Sequence, residues 1–146
     1  MTNFRVPVVR VHPEIPMPVY ARAGDAGLDL HACCDVTIAP LTRVLLPTGI
    51  KIALPDGYAG FVQPRSGHAL RSGLTFVNTP GLIDSNFRGE IKVIAYNTDP
   101  TTPIEISFGE KIAQLVIQQV ATIDLEEVDA LDATNRGEEG FGSSGD

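Results

Sequence analysis

The stretch Gly81-Leu82-Ile83-Asp84-Ser85-Asn86-Phe87-Arg88-Gly89-Glu90 decides how the chain is interpreted. It lies between two runs rich in β-forming residues, 74–79 and 91–97, and it contains glycine and asparagine. This arrangement predicts a β-hairpin. Its tip carries a carboxylate, Asp84, and an aromatic ring, Phe87, followed by an arginine. Such groups either hold a turn together or bind a flat ligand beside a carboxylate that can act as a base.

Short strand patterns recur along the whole chain, separated by roughly 8–12 residues with turn signals between them. Helical candidates are short: one turn that begins at Ser66 and is capped by its side chain, and residues 125–131. The chain of 146 residues is therefore predicted to be one all-β domain, a sandwich, barrel or jelly roll. The predicted strands lie within 6–11, 36–40, 43–54 (broken near Pro47 and Gly49), 59–63, 74–79, 91–97 and 104–120, and the segment 21–35 contains the glycine-rich stretch 23–30.

Cysteine usage and hydropathy limit the possible classes of protein. Cys33 and Cys34 are the only cysteines, and neighbours in a strand point to opposite faces, so a disulfide framework is excluded. No cysteine or histidine spacing is typical of a zinc site. No run of 18 apolar residues predicts a membrane span, and the first residues lack the pattern of a secretory signal. We therefore expect a cytoplasmic protein.

Charge is distributed unevenly along the chain. The first 120 residues carry ten acidic and ten basic side chains. The net charge of −7 therefore arises entirely in residues 121–146, which hold eight acidic side chains and one base, Arg136. An acidic end disfavours non-specific binding to nucleic acid, which depends on cationic contacts. We expect neither a nucleic acid nor a membrane as partner.

The C-terminal residues 133–146 are rich in glycine and serine, which predicts a tail that is mobile when free. The tail contains one aromatic residue, Phe141, between two glycines. It is either an ordinary solvated end or a flap. As a flap, its amides and hydroxyls would bind anions while Phe141 stacks on a ring.

Four small motifs carry possible chemistry. Arg65-Ser66-Gly67 after a strand can form an anion site, and Arg136 with Gly142-Ser143-Ser144 offers the same groups from the tail. Gln114 places one amide on an otherwise apolar strand, and Asp29 can hold a metal directly or through water. Each motif alone has an ordinary structural explanation, namely a turn or a backbone hydrogen bond.

Together, five segments match an ordered set of family motifs: 23–30, 64–67, 81–90, 109–114 and 136–145. On these segments the chain resembles the trimeric deoxyuridine triphosphatases (dUTP diphosphatases) over essentially its whole length. The resemblance implies a jelly-roll fold assembled as a homotrimer, with sites shared between subunits. It also implies hydrolysis of dUTP to dUMP and diphosphate with Mg²⁺, which keeps uracil out of DNA and supplies dUMP for dTMP synthesis.

The resemblance implies a catalytic role for Asp84, as the general base that activates water for attack on the α-phosphorus. Mg²⁺ is expected on the triphosphate oxygens and on waters. Asp29 and Gln114 would act through those waters, so no direct protein ligand is expected. Positioning and charge neutralisation would then supply most of the catalysis.

The resemblance also implies a set of substrate contacts. Arg65, Ser66 and Gly67 would form a phosphate loop. Asn78 and the backbone of Leu82, Ile83 and Asp84 would read uracil, Phe87 would lie under the sugar, and Lys92 would be a further contact. The closing tail would consist of Arg136, Phe141, Gly142, Ser143 and Ser144.

Two residues depart from the family pattern. Phe87 stands where the family usually has tyrosine, whose ring packs under deoxyribose and leaves no room for a 2′-hydroxyl. Phenylalanine keeps the ring face, so we expect sugar discrimination to survive. Glu139 replaces a glycine of the tail motif, and we expect it to stiffen the tail and to oppose its closure.

Two alternative functions share features with this pattern. A deoxycytidine triphosphate deaminase shares the fold but needs a carboxylate aimed at the base, where the hairpin offers Asn78 and backbone groups. A jelly-roll protein that binds a nucleotide without hydrolysing it would lack the catalytic carboxylate, whereas Asp84 is present. Fold alone does not separate these functions.

Overall fold

A computed structural model describes residues 4–140 of the chain. Four residues predicted in the closing tail lie outside the described residues: Phe141, Gly142, Ser143 and Ser144. Residues 4–140 form eleven strands and one helix. These are β1 (Val8–Arg10), β2 (Leu28–His31), β3 (Val36–Ile38), β4 (Arg43–Pro47), β5 (Ile50–Ile52), β6 (Tyr58–Pro64), α1 (Ser66–Ser72), β7 (Leu74–Phe76), β8 (Gly81–Ile83), β9 (Lys92–Asn97), β10 (Ile104–Ile106) and β11 (Lys111–Gln119).

The strands form four sheets in which every pair is antiparallel. Two sheets have two strands each, β1–β5 and β3–β10. A third has the order β4–β9–β7, and the fourth has the order β2–β11–β6–β8. The predicted β fold with at most short helical turns is confirmed as a mostly β fold with one short helix, while the jelly-roll path stays a prediction.

A hydrophobic cluster between the sheets forms the core, and strand alternation builds it. In β9, Val93 and Ala95 point inward, because successive strand residues face opposite sides. Asn97 of the same strand is fully buried, and its amide nitrogen donates to the carbonyls of Ile38 (3.0 Å) and Thr102 (2.8 Å). A buried amide with its partners satisfied fixes how the strands meet.

The predicted hairpin is present, but its connection is longer than a simple tip. β7 and β9 pair, with Leu74 opposite Asn97 and Phe76 opposite Ala95. The connection between them contributes β8 to a different sheet, where Ile83 lies opposite Gly60 of β6. A Cβ atom at Gly60 would lie 3.2 Å from the Ile83 Cβ, so glycine permits this close approach.

The helical predictions need two corrections. α1 has seven residues instead of a single turn, and its N-cap residue is Arg65, with no side-chain capping bond. The predicted cap by Ser66 is therefore wrong. Residues 125–131 form neither helix nor strand, so that prediction is also wrong. Leu125 and Leu131 are 91% and 88% exposed, and a segment this short is not stable as a helix without packing.

Cys33 and Cys34 are both free and half-buried. Burial raises the pKa of each thiol, and the Glu90 carboxylate raises both further. No helix within residues 4–140 is long and apolar enough to cross a membrane.

Candidate active site

Three of the five motif segments meet at a buried carboxylate, Asp29 of β2. Gln114 lies opposite Asp29 in the sheet, and its side-chain amide helps to lower the pKa of the Asp29 carboxyl. Arg65, which follows β6, brings its Nε to 3.7 Å from Asp29 Oδ1. Lys111 of β11 brings its Nζ to 2.7 Å from Oδ2. The fold therefore brings together the predicted residues Asp29, Arg65 and Gln114.

The charges around Asp29 determine its ionisation. Burial opposes the charged form, but Lys111, then Arg65 and Gln114, outweigh burial and lower the pKa of Asp29. The carboxylate is therefore ionised at neutral pH, and it holds two cationic side chains at one place. Such a cluster can bind the phosphates of a nucleotide.

Lys111 was not predicted as a site residue. It pairs with His31, and a β-bulge between Lys111 and Ala113 shifts the register of β11 against β2. A bulge of this kind redirects side chains. The basic residue within segment 109–114 was visible in the sequence, but its contact with Asp29 comes from the pairing of β11 with β2, which joins segments distant along the chain.

The predicted phosphate loop lies where β6 ends and α1 begins. Ser66 is exposed, and a Cβ atom at Gly67 would lie 3.0 Å from the guanidinium of Arg71. The first N–H groups of a helix have no partner within the helix, so they can donate to an anion. Arg65 Nη1 also donates to the Lys111 carbonyl at 3.3 Å, which ties the loop to β11.

A second part of the site is a small pocket of about 90 Å³ between β8 and β9. Its walls are mostly apolar, and they carry one side-chain amide and one ammonium group. At Gly81, a Cβ atom would lie 3.6 Å from the Asn78 amide nitrogen, so the backbone and the amide are close neighbours. The lining residues are Val62, Phe76, Asn78, Gly81, Leu82, Ile83, Lys92 and Val93, four of them predicted.

Asp84 and Phe87 lie in a turn directly after β8. The Phe87 N–H donates to the Asp84 carbonyl at 3.1 Å, and the Asp84 side chain is exposed. Arg88 donates to the carbonyls of Ser85 and Phe87, the latter at 2.8 Å, so its guanidinium holds the turn together. The Phe87 ring lies over Gly89, where a Cβ atom would be 2.6 Å from the ring.

The two parts of the site lie far apart within one chain. Ile83, next to Asp84, lies opposite Gly60, which precedes Arg65 by five residues. A strand rises about 3.3 Å per residue, so this spacing is roughly 17 Å. Asp29 is three strands from β8 in the order β2–β11–β6–β8, which is roughly 14 Å. A single chain does not bring Asp84 to the cationic cluster.

Arg136 lies in an exposed turn within residues 134–139. Its Nε donates to the Glu139 carbonyl at 2.9 Å, and the Glu139 N–H donates to the Arg136 carbonyl at 3.2 Å. The structure does not bring Arg136 into contact with the cluster around Asp29.

The residues present fit a metal that is held mainly by substrate. Within residues 4–140 no group of three or more His, Cys, Asp or Glu could hold a metal ion. Mg²⁺ typically keeps several waters and uses one or two carboxylates together with substrate phosphates. Asp29 is one such carboxylate, and it lies beside cationic groups suited to phosphate.

Comparison with known proteins places the chain in a family. The family model for dUTPase matches residues 13–145. The chain belongs to the dUTPase family. The predicted resemblance is thereby confirmed.

Named relatives extend over nearly the whole chain. The deoxyuridine 5′-triphosphate nucleotidohydrolase of Corynebacterium glutamicum is 55% identical over 140 residues, 96% of this chain and 94% of the relative. The protein of the same name from Thermobifida fusca is 55% identical over 141 residues, 97% of this chain and 79% of the relative. The solved Staphylococcus bacteriophage 80alpha dUTPase with dUPNHPP has a TM-score of 0.89 and 26% identity, covering 98% and 99% of the two chains.

Proposed function

We propose that this member of the dUTPase family hydrolyses dUTP to dUMP and diphosphate. The observation that carries the proposal is the meeting of three motif segments at Asp29, in a chain 55% identical to named dUTP nucleotidohydrolases. The cationic groups Arg65 and Lys111 suit a triphosphate. Such an activity removes dUTP from the nucleotides available for DNA synthesis and supplies dUMP for dTMP synthesis.

Asp84 is the general base of the proposed reaction. Its exposed carboxylate takes a proton from water, and the water oxygen forms a bond to the α-phosphorus. The bond between the α-phosphorus and the bridging oxygen breaks, and diphosphate leaves with that oxygen. Arg65, Ser66 and Gly67 hold the phosphates in line for this displacement. When bound, Mg²⁺ supplies positive charge to the triphosphate, and Asp29 and Gln114 orient its waters.

The pocket beside β8 is the proposed reader of uracil. Asn78 and the backbone of residues 82–84 can form hydrogen bonds to the edge of a flat base, and the apolar walls contact its faces. Phe87 packs under the deoxyribose. Gly89 lies directly behind the Phe87 ring and so fixes its position. Lys92 at the pocket edge is a further contact with the substrate.

We further propose a homotrimer in which each site combines Asp84 of one subunit with Arg65 of another. The spacing of roughly 17 Å between these two parts within one chain supports this assembly. Residues 121–140 also support it, because Leu125 and Leu131 expose apolar surface that a partner can cover. The tail then closes over the site, with Arg136 on the γ-phosphate, Phe141 over uracil, and Gly142, Ser143 and Ser144 on the phosphates.

The proposed activity is tested by measuring diphosphate release from dUTP, dTTP, dCTP and UTP side by side with Mg²⁺. Release from dUTP alone is expected. Ammonia release from dCTP would instead identify a deaminase. Binding of dUTP with no turnover would identify a protein that binds the nucleotide without hydrolysing it.

The shared site is tested separately. Light scattering should give a mass near three times 15.6 kDa. Asp84→Asn and Arg65→Ala chains should each be inactive alone. Coexpressed in equal amounts, they should give a preparation with roughly a quarter of wild-type activity, because about three quarters of randomly assembled rings are mixed and each mixed ring has one intact site of three. An inactive mixture of confirmed mixed trimers would place both residues of a site in one chain.

A further inference from the structure

His68 lies on α1 directly after the phosphate loop, and its ring is largely buried. Its Nε2 lies 3.1 Å from the carbonyl oxygen of Lys111 and 3.3 Å from Glu110 Oε1. Both neighbours are hydrogen-bond acceptors. Nε2 must therefore carry a hydrogen, which it shares between the two oxygens.

Glu110 is itself held in place, so the acceptor facing His68 does not move freely. Its Oε2 accepts the Ser107 N–H at 3.0 Å, and its own N–H donates to the Ser107 carbonyl at 3.0 Å. Gly109 completes this turn with a φ of 81°, in the left-handed region that favours glycine. One carboxylate oxygen is thus fixed to the turn, and the other faces the imidazole.

Lys111 connects this arrangement to the proposed site. Its carbonyl accepts from His68 and also from Arg65 Nη1 at 3.3 Å, while its ammonium lies 2.7 Å from Asp29. One residue of β11 therefore joins the imidazole, the guanidinium and the buried carboxylate. A displacement of His68 is transmitted to Arg65 through their common acceptor.

The helix that carries His68 has few other attachments. α1 is only seven residues long, has no buried residue and has no side-chain cap at its start. Short helices depend on tertiary contacts for their stability. Besides its packing against β7, α1 is therefore attached to the sheet through the contact of His68 with Lys111, which also anchors the loop before the helix.

We propose that His68 is a positioning residue for triphosphate binding, which fixes the phosphate loop and Arg65 against β11. This role rests on the proposed function, since it presumes that the loop binds the phosphates of dUTP. His68 acts through Arg65 and is not itself in contact with the reacting atoms.

The test compares His68→Leu, which removes the donor, with His68→Gln, whose amide can donate to the same carbonyl. Leu70→Ala is the matched control, because Leu70 lies on the same helix and is 88% exposed. We expect His68→Leu to raise the KM for dUTP by roughly 3- to 10-fold, the scale of one hydrogen bond. The Kd for dUpNHpp, a non-hydrolysable analogue of dUTP, should rise by the same factor. Binding of 2′-deoxyuridine, which has no phosphate, should not change, and His68→Gln should recover most of the loss.

Several results would overturn the role of His68. One is unchanged affinity of His68→Leu for dUpNHpp. Another is an equal loss in Leu70→Ala, or an equal loss for 2′-deoxyuridine, since either shows a general effect. If His68→Leu does not fold, His68→Gln is compared with His68→Asn, whose shorter amide does not reach, and equal KM values overturn the role. Lack of diphosphate release by the wild type would instead reject the proposed function.

Discussion

Lys111 and Asp29 form the shortest ion pair within residues 4–140, with the ammonium nitrogen 2.7 Å from a buried carboxylate oxygen. The pair crosses from β11 to β2, so it links two strands of one sheet. Asp29 is buried, whereas Lys111 is partly exposed. Loss of the partner would therefore cost more for the Asp29 carboxylate, which would be left charged and buried, than for the Lys111 ammonium, which reaches water.

Replacing Lys111 with methionine should destabilise the protein, because Asp29 loses its closest partner. The expected loss in the free energy of unfolding is about 1 kcal/mol, since the exposed side of the pair is screened by water. Urea denaturation at pH 7 measures this loss. Lys51→Met is the matched control, because Lys51 is exposed on β5. Equal stability of the two variants would show that the pair contributes nothing.

Replacing Asp84 with asparagine should abolish most turnover without preventing binding. Asparagine cannot accept the proton of the attacking water, so kcat should fall at least ~100-fold, the low end for a positioned base. The Kd for dUpNHpp should stay near the wild-type value. Asp56→Asn is a matched control, because Asp56 is also exposed and lies next to Ser85. Wild-type turnover in Asp84→Asn would remove this residue from the mechanism.

Gly89→Ala should weaken the preference for dUTP over UTP. The new methyl group would lie 2.6 Å from the Phe87 ring, so the ring must move from its proposed place under the sugar. The ratio of kcat/KM values for the two nucleotides should fall about 10-fold. Phe87→Tyr should keep the preference, because it retains the ring face. A ratio that is unchanged in Gly89→Ala would show that Phe87 does not exclude the 2′-hydroxyl.

Asp99 should make the stability of the protein depend on pH in the acid range. Backbone N–H groups of Thr101 and Thr102 donate to Oδ1 at 2.8 and 2.7 Å and lower the pKa of Asp99 below 3.8. A lowered folded-state pKa means that this stabilisation is complete above about pH 4 and is lost as pH falls through the folded value.

Melting temperatures of wild type and Asp99→Asn, measured from pH 7 to pH 2.5, test this dependence. The advantage of the wild type should shrink below pH 4. Asp124→Asn, at an exposed carboxylate, serves as the comparison. A difference between wild type and Asp99→Asn that is constant with pH would contradict the expectation.

Deleting residues 136–146 should strongly reduce hydrolysis while leaving the fold and the assembly intact. The described part of this segment, residues 136–140, is exposed and has no contact with the cluster around Asp29. Phe141→Ala should cost less than Arg136→Ala. Stacking on a base is worth only ~1–3 kcal/mol, whereas a charged contact with the departing diphosphate strengthens in the transition state. Full kcat/KM in the truncated protein would show that the tail has no role.

The sequence allowed most strands to be predicted, because alternation identifies them directly. In β9, Val93 and Ala95 alternate with exposed or half-exposed residues, and the hairpin with β7 followed from this pattern. The short strand β8 was not predicted. Three residues give little alternation, and the pairing of Ile83 with Gly60 is a contact between distant segments.

Contacts between distant segments also limited how much of the site could be predicted. Asp29, Arg65 and Gln114 belong to motif segments that predict a shared site, and the structure brings them together. Lys111 and His68 were missed. Their contacts depend on the pairing of β11 with the distant strand β2 and on a two-turn helix, neither of which leaves a periodic signal in the sequence.

The pairing of β8 with β6 has a mechanical consequence. Along the chain, β8 lies between β7 and β9. Because β7 and β9 belong to one sheet and β8 belongs to another, the chain crosses from one sheet to the other before β8 and back again after it. Asp84, the proposed base, directly follows β8 of one sheet, and residues 84–91 join it to β9 of the other. Sliding of one sheet over the other would therefore change the path of this link, so the position of Asp84 is tied to how the two sheets sit against each other.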